Sequence, residues 1–130
     1  VFIVQEVKDP RLYGVVKGEE ISPALYTVGK IIEKPKKPPS NLAVMPAYIF
    51  SPKIFKALEE IEVGVGGELQ LTDAIQKLID WDMKVYAVKL RPDELRLDIG
   101  TSETYWEALN LSYKHSTLRS QSMDKTWREK

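Results

Sequence analysis

Three short segments combine charged side chains with places where a folded backbone would leave them free to act. The first is Ile31-Ile32-Glu33-Lys34-Pro35, which sets a carboxylate and an ammonium side by side at the end of a strand-like run. Neighbours on a strand point to opposite faces, so an ion pair between them is strained and two separate partners suit them better. Glu33 could accept from sugar hydroxyls while Lys34 meets a phosphate as a point charge. A solvated strand end fits the same residues. The second segment is Gly66-Gly67-Glu68-Leu69-Gln70-Leu71-Thr72-Asp73. Asp73 is explained by capping a helix, where its carboxylate meets free N–H groups and the positive dipole end. Glu68, after two glycines, is a candidate for substrate contact. The third is Leu97-Asp98-Ile99-Gly100-Thr101. An Asp at the end of a short strand, before a glycine turn and a helix start, sits where α/β folds place functional carboxylates. Asp98 could supply one ligand to Mg²⁺, which takes one or two carboxylates plus substrate phosphates, or it could simply accept turn N–H groups.

Strands and helices must alternate to position these groups. Apolar, β-branched runs predict strands over Phe2–Val7, Tyr13–Val16, Val28–Ile32, Asn41–Phe50 and Val85–Leu90, with a short one at Leu97–Ile99. Residues 17–27 read as a loop or hairpin, and the prolines of Pro35-Lys36-Lys37-Pro38-Pro39 as an extended connection. Ser51-Pro52 opens one helix, with Ile54, Phe55 and Leu58 as its stripe. A second opens near Asp73, with Gln76 in a capping-box arrangement and Ile75, Leu78 and Ile79 inward. A third starts at Thr101 or Ser102, where Tyr105, Ala108, Leu109 and Tyr113 share a face. Residues 116–130 are polar and read as a weak helix or tail. The interleaving predicts an α/β fold, a mixed sheet with flanking helices.

Composition removes several function classes. Lys plus Arg and Asp plus Glu are balanced at 19 each, so no general positive field draws the chain to nucleic acid or an anionic membrane. With no cysteine, disulfides and thiolate zinc sites are excluded and a reducing cytoplasm is the simple expectation. The single histidine, His115, cannot build a His-rich metal centre, which leaves a hard cation held by carboxylates. No Gly-x-Ser-x-Gly elbow is present, and Gly64-Val65-Gly66-Gly67 lacks the basic and hydroxyl residues of a phosphate loop, so it reads as a turn.

In order along the chain, Asp9-Pro10-x-x-Tyr13-Gly14-Val15-Val16, Glu33-Lys34-Pro35, Ser40-Asn41-Leu42-Ala43 with Tyr48, Gly67-Glu68-Leu69-Gln70-Leu71-Thr72-Asp73-Ala74, and Asp98-Ile99-Gly100-Thr101 resemble the nucleoside triphosphate–sugar-1-phosphate nucleotidyltransferase family. Among its branches the UTP–glucose-1-phosphate uridylyltransferases are most similar, with the thymidylyltransferases near them. The resemblance covers about residues 1–115, leaving 116–130 as a polar tail, and implies the C-terminal part of a Rossmann-like nucleotidyltransferase fold.

That resemblance implies that Gly14 lines a sugar pocket through its backbone, and that Glu33 binds sugar hydroxyls and Lys34 the sugar phosphate. It further implies that Val44 and Tyr48 wall the pocket and that Asp98 is one of two aspartates holding Mg²⁺. The reaction it implies is in-line attack of the sugar phosphate on the nucleotide, with release of pyrophosphate and formation of a nucleoside diphosphate sugar such as UDP-glucose. The family's Gly-rich triphosphate loop and first metal aspartate have no counterpart here, so the 130 residues alone are expected to be inactive. Another reading is a non-catalytic sugar-phosphate-binding or oligomerisation domain derived from the same fold. Strand edges left bare at Phe2–Val7 and Asn41–Phe50 would favour a homo-oligomer.

Overall fold

Phe2 and Val4 are buried while their neighbours are not, and this alternation makes β1 (Phe2–Glu6) a strand with one face to the core. The computed structural model describes residues 1–94, 96–97 and 99–128, in two compact units, Val1–Pro92 and Asp93–Lys130. In the first unit β2 (Gly14–Ser22) and β3 (Leu25–Glu33) form a long hairpin. Its tight turn uses Ala24 at a φ of 63°, with the Ala24 N–H donating to the Glu20 carboxylate at 3.0 Å. Strand β4 (Leu42–Tyr48), helices α1 (Lys53–Glu59) and α2 (Leu71–Asp80), and β5 (Tyr86–Lys89) follow.

The five strands close into a barrel in the order β1-β4-β2-β3-β5. The sheet is mixed, since β1 pairs with β5 in parallel and the other pairs are antiparallel. Strands β1 and β4 therefore each have two neighbours, and the expected bare edges do not form. Helix α2 packs on β3 and against α1. Thr72, Ile75 and Leu78 fall at helical spacing on its buried side, where Ile75 is wholly enclosed with Phe2, Val4 and Val16. Enclosing one such side chain is worth about 1.5–3 kcal/mol.

Gln76 does not close a capping box. Helix α2 begins at Leu71 after Gln70, with no side-chain cap bond, and Asp73 lies in its first turn. Gln76 instead reaches the sheet, where its Oε1 accepts from the Ile31 N–H at 2.8 Å while its Nε2 donates to Asp80 Oδ1 at 2.8 Å. The apolar run of β4 also stops sooner than its composition predicts: Ile49 is 77% exposed, and in α1 Phe55 is 69% exposed.

In the second unit, Leu97 and Ile99 are not in a strand, and Asp98 lies outside the described residues. Thr101 caps α3 (Ser102–Arg128), its hydroxyl accepting from the Thr104 N–H at 3.3 Å. On the expected apolar face only Ala108 is buried; Tyr105, Leu109 and Tyr113 are exposed, as are Trp106 and His115. No helix among the described residues is long and apolar enough to cross a membrane.

The β2–β3 register slips between Lys17 and Gly18, making Gly29 the extra residue of a bulge. A Cβ on Gly18 would strike the Thr27 carbonyl oxygen, whereas one on Gly29 would find nothing nearer than the Lys17 carbonyl oxygen at 3.9 Å. Urea denaturation should therefore show Gly18→Ala destabilised by about 2 kcal/mol or more, and Gly29→Ala by less than about 0.5 kcal/mol. Equal losses would mean that the two glycines do not differ as described.

Candidate functional site

The approach to the site begins with Asp9. Its carboxylate accepts from the Arg11 N–H at 3.2 Å and takes Arg11 Nε and Nη2 at 2.8 Å each, fixing the 3-10 turn Pro10–Leu12. The Arg11 side chain thereby holds the Asp9 carboxyl well below its usual range, at about 2. Tyr13 closes the turn through its N–H to Pro10 O at 3.2 Å, and its own carbonyl accepts from the Lys34 N–H at 3.1 Å. Gly14 is thus delivered opposite Glu33 in the hairpin register.

At that point the backbone passes too close to its neighbours for a side chain. A Cβ on Gly14 would lie 2.7 Å from Thr72 Cγ2, 3.0 Å from Glu33 Oε2 and 3.6 Å from Val44 Cγ2. Glu33 keeps only 13% of its side chain exposed. A carboxylate so enclosed needs donors, and Thr72 supplies one, its hydroxyl donating to Glu33 Oε2 at 3.0 Å.

Lys34 leaves the strand with a φ of 40°, ahead of a buried Pro35. The alternation that would separate Glu33 from Lys34 ends there, and Lys34 Nζ comes within 3.8 Å of Glu33 Oε1. The pair is therefore closer than strand geometry allows, because Lys34 is no longer in a strand. At 3.8 Å with Lys34 half-exposed this is a loose ion pair, which leaves donors on the ammonium for another anion.

Tyr48 forms the next wall. Its ring stacks on Phe50 at 5.3 Å and tilts against Phe2 at 6.1 Å. Burial, and secondarily the negative charge of Glu33, push its hydroxyl above the ordinary value of 10. Gly14, Glu33, Lys34, Val44 and Tyr48 thus gather around one carboxylate. Glu68 is exposed after the turn Val65–Gly67, its carbonyl accepting from the Gly64 N–H at 2.9 Å, and no described interaction joins it to that group.

Thr72 was not singled out by sequence reasoning, although a hydroxyl on the apolar stripe of α2 is a usable signal, since buried polar groups need partners. An enclosed acceptor beside a loosely paired, half-exposed ammonium, walled by a phenol, suits a hydroxylated compound that carries an anionic group. Among the described residues no group of three or more His, Asp or Glu could hold a metal ion.

Residues 1–115 match the nucleotidyl transferase family, and the chain belongs to that family. Within it, the chain is 45% identical over 105 residues to a UTP–glucose-1-phosphate uridylyltransferase of Pseudomonas aeruginosa, covering 79% of this chain and 37% of that protein. It is 43% identical over 101 residues to a putative UTP–glucose-1-phosphate uridylyltransferase of Bacillus subtilis, covering 77% of this chain and 36% of the relative. Among solved structures, a UDP-glucose pyrophosphorylase complexed with UDP-glucose superimposes with a TM-score of 0.79 at 35% identity, over 88% of this chain and 44% of that one. The chain therefore spans less than half the length of these relatives.

Two outcomes test the geometry. Thr72→Val keeps the shape but leaves Glu33 Oε2 without its donor, and should cost about 1–3 kcal/mol in chemical denaturation, with Thr72→Ser recovering most of it. An unchanged midpoint for Thr72→Val would show that the bond contributes nothing. A tyrosine whose pKa is raised on folding keeps its contribution to stability below 10 and loses it as pH climbs through the raised value. Ultraviolet titration should show one tyrosine ionising late, and Glu33→Gln should bring it only part of the way back, since burial is the larger cause. A complete return to 10 would reverse that ranking.

Proposed function

We propose that this chain is the sugar-1-phosphate-binding part of an enzyme that makes UDP-glucose from UTP and glucose 1-phosphate, releasing pyrophosphate. The observation that carries this reading is the Glu33 carboxylate, enclosed between Gly14 and Thr72 with the Lys34 ammonium beside it. Glu33 accepts from the sugar hydroxyls, and Lys34 neutralises the phosphate attached to the same sugar. Gly14 offers backbone only, while Val44 and Tyr48 close the sides. Held this way, the sugar phosphate is oriented for in-line attack, and the catalytic gain is positional and electrostatic, without a covalent intermediate. Lys34 then has both a binding and a catalytic role.

The described residues do not form a metal cage by themselves, so Mg²⁺ would depend on Asp98, outside the described residues, and on substrate oxygens. Such an ion would supply charge neutralisation at the phosphates. Glu68 remains a candidate for a peripheral substrate contact. A cysteine-free chain suits the cytoplasm. Self-association would draw on exposed apolar side chains such as Ile49 and Phe55, not on strand edges.

The test uses a chain that also carries the nucleotide-binding half. Glu33→Gln and Lys34→Ala should each raise KM for glucose 1-phosphate roughly ten- to a hundredfold, the range of one charge-assisted hydrogen bond, with KM for UTP little changed. Lys34→Ala should also lower kcat. An unaltered KM for the sugar phosphate in both variants would sink the assignment. The 130 residues alone should bind the sugar phosphate weakly and release no pyrophosphate.

A further inference from the structure

The bulge in the β2–β3 hairpin opens a hollow of about 450 Å³, lined by Lys17, Gly18, Glu19, Thr27, Gly29 and Lys30 together with Val28. Its volume falls in the range of small-molecule sites. It shares no lining residue with the corner around Glu33.

Two features of the hollow bear on what it could hold. Lys17 and Lys30 are direct cross-strand partners, both exposed. Like charges placed opposite each other in an antiparallel pair are destabilising. Few lysines of the unit pair with a carboxylate, among them Lys89 with Glu6 at 3.3 Å and Lys77 with Glu60 at 3.4 Å, so it is the direct facing of Lys17 and Lys30 that sets this pair apart. Among the described residues no carboxylate lies within ion-pair distance of Lys17 or Lys30.

The second feature is Gly29. Gly18 must be glycine because Thr27 crowds it, but a Cβ on Gly29 would make only an ordinary contact, with the Lys17 carbonyl oxygen at 3.9 Å, and its φ is not left-handed. Neither packing nor backbone conformation requires glycine there. A strand glycine often marks a bulge, as it does here, and it also leaves bare backbone that a ligand can approach closely.

We infer that this hollow is a second anion site, separate from the Glu33 corner, which takes the phosphate group of a small hydroxylated phosphomonoester between Lys17 and Lys30 against the bare backbone of Gly29. The two ammonium groups match a phosphate dianion. At the same hollow the Glu19 carboxylate offers an acceptor to the alcohol groups of such a ligand and disfavours a second phosphate, while the Thr27 hydroxyl, which donates to the Glu19 carbonyl at 3.4 Å, keeps its acceptor side for them.

The probe is inorganic phosphate, titrated into the ¹⁵N-labelled 130-residue chain at constant ionic strength, with chloride as the control. The amide signals of Gly18 and Gly29 should move saturably with phosphate and not with chloride. The double variant Lys17→Gln/Lys30→Gln should weaken binding at least roughly tenfold, one charge-assisted contact or more. Lys17→Arg/Lys30→Arg should retain it, and Gly29→Val should lose it by filling the floor. Lys34→Ala should leave these shifts unchanged. The proposal fails if the amides do not respond, if they respond equally in the Gln variant, or if Lys34→Ala abolishes the response. Should Gly29→Val not fold, the lysine variants still decide.

Discussion

A carboxylate with little solvent left to it must be given hydrogen bonds by its neighbours, and at Glu33 that obligation falls on Thr72. The bond joins the end of β3 to the first turn of α2, so one contact fixes both the orientation of the acid and the seating of the helix. Gln76, one turn further along the same helix, does similar work by accepting from the Ile31 N–H. Helix α2 is thus pinned to β3 by two polar contacts as well as by the apolar packing of Ile75 and Leu78. The absence of a side chain at Gly14 completes the arrangement, because a methyl group there would collide with both partners of the Glu33–Thr72 bond.

Around this corner the barrel provides rigidity. With β1 between β4 and β5, the ring of strands leaves no long free edge at either strand, and Tyr48 at the end of β4 is held by ring contacts on both sides. A side chain at the end of a paired strand is better preorganised than one on a loop. Lys34 is the exception: it sits just past the strand in a left-handed conformation that non-glycine residues rarely adopt. Such strain persists where surrounding structure enforces it, here through the Lys34 N–H to Tyr13 and the burial of Pro35.

Much of this was legible in the sequence. Apolar, β-branched runs located β1, β4 and β5 and parts of β2 and β3, and Pro52 and Thr101 marked helix starts. The Glu33-Lys34-Pro35 segment stood out because it sets opposite charges at a strand end. The failures have physical causes. Periodicity describes a strand's faces and not its partners, so closure of the sheet was invisible and bare edges were expected. The capping-box spacing of Asp73 and Gln76 is a local pattern, and a tertiary demand, the unpaired Ile31 N–H, took the side chain instead. Strand alternation likewise misjudged Glu33 and Lys34, because it presumes that both residues remain in the strand.

Closure of the barrel also bears on how the unit reaches its native state. The hairpin β2–β3 and the α1–α2 pair are assembled from segments close in sequence, but the parallel seam joins Phe2 to Ala87 across nearly the whole unit. Loop-closure entropy must be met before that pairing returns any stabilisation, and distant parallel pairing is slow for this reason. Pairing across the seam is therefore expected to be the slow step of folding. Until it forms, β1 has only one of its two sides covered, and the Phe2 ring that braces Tyr48 is not anchored from that side. The Glu33 corner is on this expectation completed late, when β1 meets β5.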